Sequence, residues 1–306
     1  MLRHDVIART QLYLLTQTLR THLPATCILP EFLTRSRAAV PFGWHFVFFP
    51  PAPLESSLLP DGYAAVPGID VSGMRRRWTA GSVRVPRGDV AAELMSEVPA
   101  TNEIQYHNRA ERVKERDSAR ISKVTVESIR QIKSSIYPDV VCVEEMRRLV
   151  YLPPAKPEDF ASIRTVHYYL VPYKPELEHT FTPTPALSFR FCALTFNAHK
   201  IHYDSTYARE VELLPSAVLP GALSIILLLS WLQFDACVAV LLGKEGGRIK
   251  EITYDCVNVV VLNRPATMGF SRTKRKGVLR IWIAQNKGLC VRGHIEMAGL
   301  DCGGGE

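Results

Sequence analysis

A chain of 306 residues with 47% hydrophobic and 22% charged side chains can bury one or two sizeable cores, which excludes a disordered polymer, and no fibrous repeat organises its glycines and prolines. The length suits two domains of about 150 residues. A net charge of +7 favours polyanionic partners: nucleic acid, an anionic membrane, or a phosphorylated cofactor or carrier protein.

In chain order, residues 1–22 carry Arg3, Arg9 and Arg20 against the single acid Asp5, the composition of a mitochondrial presequence. Ile7, Leu12, Leu14, Leu15 and Leu19 fall equally well on one face of an ordinary structural helix, so the compartment reads as mitochondrial or cytoplasmic. The proline-rich stretch Pro24 to Pro67 encloses a short aromatic strand, Trp44 to Phe49, between turn signals. Arg77 to Val85 alternates as a half-buried strand should. Residues 108–123, dense in both signs of charge, are expected as a solvated loop or helical excursion, after which 124–132 and 140–151 resume strand character. Proline-rich 153–178 is the expected linker between an N-terminal unit, 1–152, and a C-terminal unit, 179–306.

The second unit opens with a helix from Thr184 to Thr195, with Thr184 as N-cap, Pro185 in the first turn, and Leu187, Phe191 and Leu194 at helical spacing. A polar and aromatic segment leads to an apolar stretch, Ala217 to Gly243, charged only at Asp235. Its uninterrupted part, Gly221 to Phe234, falls short of the roughly 20 residues that a bilayer requires. A helix apolar all round, followed by strand segments Arg248 to Leu262 and Val278 to Met297 with a turn at Asn286 to Gly288, implies an α+β unit in which a curved antiparallel sheet wraps a central helix. The first unit has similar strand content, but its own central helix is harder to see. Seven scattered cysteines without a C-x-x-C pair suit a reducing compartment, and Cys192 and Cys237 read as small buried residues. Gly243 to Gly247 reads as a turn, not a phosphate loop.

The segment Phe196 to Asp204, FNAHKIHYD, gathers an amide, two imidazoles and a carboxylate just before the apolar helix. On the residues alone, His199 and His202 read as capping or surface histidines. Their i,i+3 spacing lacks a third ligand at a familiar distance, so no metal is expected. An imidazole is also the group that best moves a proton near neutral pH.

This block resembles the signature of the MaoC-like (R)-hydratases and dehydratases, a hot-dog family acting on acyl thioesters. Asn197 takes the position of the family's aspartate, His199 and Lys200 those of its Asn-Pro, Ile201 the aliphatic position and His202 the catalytic histidine, and five residues lead on to the small residue Ala208. TFTP (Thr180 to Pro183), ALTFNAHKIHYD (Ala193 to Asp204) and YAREVE (Tyr207 to Glu212) are similar to the branch of mitochondrial-type 3-hydroxyacyl-thioester dehydratases and their double hot-dog relatives, in which asparagine commonly replaces the aspartate. GWHFVFF, RRRWTAGSVRV, VCVEEMRRLVY and LRIWIAQNKGLCVRGHIEMA extend the likeness more weakly over most of the chain. One segment departs from the pattern. In 213–222 Pro220 stands at the family's histidine, two glycines are replaced, and Gly221 is kept; the later Arg-Pro is Asn258-Val259.

The resemblance implies a double hot-dog of two antiparallel sheets, each wrapping a central helix, that interconverts 3-hydroxyacyl and 2-enoyl thioesters of CoA or an acyl-carrier protein in fatty-acid, polyketide or related metabolism. It makes His202 the proton-transfer group, Asn197 the residue that fixes water or the 3-hydroxyl, and the Gly221 N–H the donor to the thioester carbonyl. The N-terminal half would have lost its site and shape an acyl tunnel. The run 271–276 reads as a solvated hairpin turn, in which Arg272, Lys274, Arg275 and Lys276 are the candidates to meet the phosphates of CoA or an acidic carrier protein. No cofactor beyond the thioester substrate, no nucleic acid and no membrane span are expected, and a homodimer is compatible. The rival readings are a non-catalytic acyl-thioester binding scaffold, suggested by Pro220 and the lost glycines, a thioesterase, and a protein anchored in a membrane through 217–243.

Overall fold

Two groups of five strands repeat one connectivity. The strands are β1 (Leu2–Val6), β2 (Arg75–Arg84), β3 (Pro99–Glu115), β4 (Ser118–Ser134), β5 (Tyr137–Leu152), β6 (Leu177–Phe181), β7 (Arg248–Cys256), β8 (Ala266–Arg272), β9 (Val278–Gln285) and β10 (Gly288–Ala298). All pair antiparallel in the order β1-β3-β4-β5-β2-β7-β10-β9-β8-β6. Counted from each outer edge, β1-β3-β4-β5-β2 and β6-β8-β9-β10-β7 follow the same path. The two sheets of this double hot-dog are continuous, because β2 pairs with β7 from Ala80 opposite Asp255 to Arg84 opposite Glu251. The computed structural model describes residues 1–32, 38–86, 94–115, 118–154, 170–242 and 248–298, without the side chains of 112–121.

The helices follow the same repeat. Helix α1 (Arg9–Leu19) comes directly after β1, and α2 (Pro185–Leu194) directly after β6. The two pack together, and Gln11 Nε2 donates to the Leu194 carbonyl at 3.1 Å. Leu12, Leu15 and Leu19 of α1 are fully buried while Leu14 faces out, so the arginine-bearing first segment builds an edge strand and a core helix. In α2 the Thr184 hydroxyl accepts from Leu187 N at 3.1 Å ahead of Pro185, the cap that the sequence implies.

Helix α4 (Gly221–Phe234) is buried without interruption from Ala222 to Leu232. It forms the axis of the largest core. Its C-terminus turns at Asp235, whose Oδ1 accepts from Cys237 N and Val238 N to begin α5 (Ala236–Leu242), while Oδ2 accepts from the Thr26 hydroxyl at 2.7 Å. Among the described residues no helix is long and apolar enough to cross a membrane.

Several elements differ from the sequence expectation. Trp44–Val47 is a short 3-10 turn, not a strand. Gly43 before it has φ +87°, and the turn sends its aromatics two ways: Trp44 Nε1 donates to Ser230 Oγ of α4 at 2.9 Å, while Phe46 packs edge-on against Trp78 of β2. The charged stretch 108–123 continues the β3–β4 hairpin, with Glu111 opposite Lys123 and Glu115 opposite Ser118. A ribbon projecting beyond the core needs no apolar alternation, and its opposite charges pair across strands, as Lys123 Nζ does with Glu111 Oε1 at 3.2 Å. Strand β8 escaped the sequence reading because Thr267, Gly269 and Ser271 dilute its apolar residues; Gly269 lies so close under Trp282 that a Cβ there would fall 2.4 Å from the indole. Cys237 is exposed, since α5 lies at the surface, whereas Cys192 is buried. The turn at 243–247 and most of the expected linker, 155–169, lie outside the described residues.

Candidate active site

The segment between α2 and α4 is held by its own backbone. Phe196 takes a left-handed conformation, φ +50°, which stops α2 and lets Asn197 N donate to the Cys192 carbonyl at 2.8 Å. Asn197 Oδ1 accepts from His199 N at 3.1 Å, leaving its Nδ2 hydrogens as donors on the cavity side. A 3-10 turn, Lys200–His202, follows. Asp204 then caps the short helix α3 (Ser205–Glu210) by accepting from Thr206 N and Tyr207 N at 3.0 and 2.9 Å. Ala208 is fully buried, which explains the need for a small residue there.

His202 is buried and anchored twice. Its carbonyl accepts from Ser188 Oγ at 3.1 Å, and its Nδ1 lies 2.9 Å from the Val218 carbonyl. A carbonyl can only accept, so the ring hydrogen sits on Nδ1 and Nε2 keeps its lone pair. Burial lowers the His202 pKa to about 4, with the Arg76 charge acting in the same sense and the Val218 hydrogen bond opposing it. At neutral pH the ring is therefore an uncharged base.

Helix α4 begins beside it. Pro220 is the N-cap in an extended conformation, and the helix starts at Gly221, whose N–H belongs to the first turn and has no acceptor within the helix. Pro220 lacks an N–H but leaves that of Gly221 free. The Trp78 indole packs over Gly221, at 3.7 Å from where a Cβ would be. His202, Asn197 and Gly221 share one cavity of about 200 Å³, roofed by α4 and the overhang and floored by the concave sheet of the first half.

The first half also supplies residues that sequence reasoning missed. Asp61 O accepts from Lys200 N at 2.8 Å, and Gly62, with φ +83°, packs so tightly that a Cβ would fall 2.1 Å from the Ala198 carbonyl. Arg76 Nη2 donates to His199 Nδ1 at 2.8 Å, which places the His199 hydrogen on Nε2, 3.4 Å from Asp61 Oδ2. Arg76 in turn lies over the Tyr63 ring, 3.1 Å from its centroid. Burial, followed by the Arg76 charge, holds the His199 pKa well below its usual value. Its ring stands perpendicular to that of His202 at a centroid distance of 5.3 Å. His199 is thus a strut between the halves. The Asp61-Gly62 turn signal was visible in the sequence, but nothing there tied it to residue 199.

The basic turn is not brought to this cavity. Arg272 pairs with Glu176 at 2.9 Å and donates to the Leu241 carbonyl, and Arg275 faces Glu296 at 3.7 Å. Arg272, Lys274, Arg275 and Lys276 line no part of the cavity: they sit beyond the C-terminal end of α4, whose 14 residues span roughly 20 Å. The helix length that buries the core also separates this turn from His202.

A duplicated hot-dog with a neutral imidazole and a helix N-terminus on one partly open cavity fits the hydratases and dehydratases of acyl thioesters. The family model described as hydroxyacyl-thioester dehydratase type 2 matches residues 43–262. The chain is 30% identical over 284 residues to the mitochondrial hydroxyacyl-thioester dehydratase type 2 of Schizosaccharomyces pombe, covering 88% of this chain and 89% of that one. It is 31% identical over 208 residues to mesaconyl-C(4)-CoA hydratase of Chloroflexus aurantiacus, covering 67% and 68%. Among solved structures, HtdX of Mycobacterium tuberculosis superposes with a TM-score of 0.57 at 11% identity over 97% of this chain and 100% of that one, a likeness of fold. The chain belongs to the hydroxyacyl-thioester dehydratase type 2 family and is an enzyme of the lyase class.

Proposed function

We propose that the C-terminal half, 179–306, carries the hydration and dehydration chemistry through His202, Asn197 and Gly221, and that the N-terminal half, 1–152, forms the acyl-binding wall. In the hydration direction His202 Nε2 takes a proton from water as the oxygen bonds to C3 of the enoyl thioester. The double-bond electrons move to C2 and the thioester oxygen, where the Gly221 N–H and the N-terminal dipole of α4 stabilise the developing charge. The imidazolium then returns its proton to C2. Asn197 Nδ2 orients the water, and later the 3-hydroxyl. Dehydration is the reverse.

The observation that carries this reading is the 2.9 Å contact of His202 Nδ1 with the Val218 carbonyl, which fixes the tautomer and presents a free lone pair to the cavity. CoA thioesters are the substrates we favour, supported by the name of the Chloroflexus relative, and a mitochondrial compartment is supported by that of the yeast one. The test is hydration of crotonyl-CoA, followed by loss of the enoyl absorbance. His202→Ala should lower turnover by about 10²- to 10⁴-fold with the fold intact. Undiminished turnover removes His202 from the mechanism.

A further inference from the structure

The floor of the cavity is lined by arginines, and not all of them have a carboxylate partner among the described residues. Five arginines line it, Arg3, Arg76, Arg77, Arg130 and Arg147, and among the described residues no aspartate or glutamate does. Three are held by other side chains: Arg77 donates to Glu212 at 2.6 Å, Arg147 grips both oxygens of Glu145, and Arg76 donates to the neutral ring of His199. Among the described residues Arg3 donates only to the Phe49 carbonyl, at 3.0 Å. Arg130 makes no hydrogen bond or ion pair among the described residues, and its Nε is buried and unpartnered. Its cross-strand neighbours are Ile104 and Glu145, and Glu145 is committed to Arg147.

Burial pulls down the pKa of Arg3 and Arg130, and burial followed by the charge of Arg130 pulls Arg147 well below its usual value. Only the Nε edge of Arg130 is buried and unpartnered, and the planar fork of a guanidinium matches a carboxylate or phosphate. Among the described residues this edge of Arg130 has no partner, and on the cavity it offers a seat for an anion carried by the ligand.

Position decides which anion. Arg147 lies 5.0 Å from the centroid of the Trp78 ring, and the same indole covers Gly221. Arg147 thus lies on the Trp78 side of the cavity, where the thioester carbonyl is assigned, and Arg130 is near enough for its charge to act on Arg147. The phosphates of CoA and of a carrier protein lie at the far end of the long pantetheine arm, across the sulfur from the acyl group. A negative charge close to the carbonyl has to belong to the acyl chain.

We propose that Arg130, flanked on the sheet by Ser128 and Tyr106, binds a carboxylate at the end of a short acyl chain, so that the substrate is the monothioester of an unsaturated dicarboxylic acid. Water adds across C2 and C3 as above, and the carboxylate is a handle that takes no part in bond making. The proposal rests on the hydratase reading and names its substrate class.

The experiment compares hydration of glutaconyl-CoA with that of its methyl ester, which has nearly the same shape and no charge. The free acid should be favoured in kcat/KM by about 10- to 100-fold, the range of a charged hydrogen-bonded pair. Arg130→Met should abolish that ratio and Arg130→Lys retain part of it, with circular dichroism reporting the fold. N-acetylcysteamine thioesters, which have no phosphate, should give the same ratio. The proposal is overturned by a wild-type ratio near one, by an unchanged ratio in a folded Arg130→Met, or by a ratio that vanishes with the phosphate-free thioesters, which would assign Arg130 to the carrier. Should no thioester be hydrated, the hydratase reading falls, and calorimetry of glutaryl-CoA against its methyl ester still decides the carboxylate site: tighter binding of the acid that Arg130→Met removes supports it, and equal affinity refutes it. If Arg130→Met does not fold, the wild-type ratio and Arg130→Lys carry the decision.

Discussion

Between β6 and β7 the chain places a helix of 14 residues, buried along its length; between β1 and β2 the corresponding place holds the four residues Trp44–Val47. Both halves keep the same strand order and the same first helix, so the difference is confined to what the sheet wraps. In the second half the sheet closes on α4 and leaves no room. In the first half, Phe46 to Phe49 cover part of the sheet and the remainder is the cavity floor, with Tyr106, Arg130 and Arg147 facing the ligand space. One half thus holds the long helix, its N-terminus and the imidazole, and the other, with a short turn in place of the helix, leaves its sheet open to the cavity.

Acidification should strain this arrangement most. His45 in the first half and His202 in the second are both buried and neutral, with pKa values lowered by burial to about 3 and about 4. Unfolded, each titrates near 6.5. Between those values the unfolded chain binds more protons than the folded one, so stability present above pH 6.5 is lost as pH falls towards 4. Urea midpoints should drop steadily over that interval, while the acid limb of kcat/KM lies near pH 4 and not near 6.5. An acid limb at 6.5 would mean that His202 is solvated in the working enzyme.

Core truncation should separate the halves next. Leu227 is fully enclosed in α4, and Leu227→Ala should cost about 2–5 kcal/mol in urea unfolding with no change in acyl preference. Phe46 borders the existing cavity, so Phe46→Ala should cost less and shift kcat/KM towards bulkier acyl groups. Identical selectivity in the two variants would break the comparison.

Gly62 tests how the wall is registered on the chemistry. Any side chain there meets the Ala198 carbonyl and must also adopt φ +83°, whereas Gly68, at φ +73°, has open space around it. Gly62→Ala should lose about 1–3 kcal/mol and reduce turnover, because residues 198–202 have to move. Gly68→Ala should show only the backbone penalty and normal turnover, measured in the same assays.

These contrasts also explain what could be read from the chain alone. The Thr184-Pro185 cap, the rod from Gly221 to Phe234 and the FNAHKIHYD block are local patterns, each written within a few turns of chain, and the structure realises each where the sequence puts it. The Arg76–His199 contact joins residues 123 positions apart, and Asp61 and Gly62 reach the overhang from another domain-sized segment. Tertiary contacts of that kind leave no periodicity. The aromatic run at Trp44 misled for a related reason: aromatic residues between turn signals predict a strand, and the run instead forms a 3-10 turn wedged between helix α4 and the sheet.

The smallest expected effect concerns that last contact. Trp44 Nε1 donates to Ser230 Oγ at 2.9 Å, with both residues fully buried, and it joins the 3-10 turn that replaced one helix to the helix that survived. Trp44→Phe removes the donor, Ser230→Ala the acceptor, and the pair together removes both. If the bond contributes as a neutral buried hydrogen bond does, the cycle should give a coupling of about 1 kcal/mol, with each single variant costing more because it strands a polar group or opens space. Since the bond lies away from His202, kcat should not follow the stability loss. A coupling near zero would leave the two halves joined here by packing alone; a matching fall in kcat would mean that the reduced half positions α4 for catalysis as well as walling the substrate.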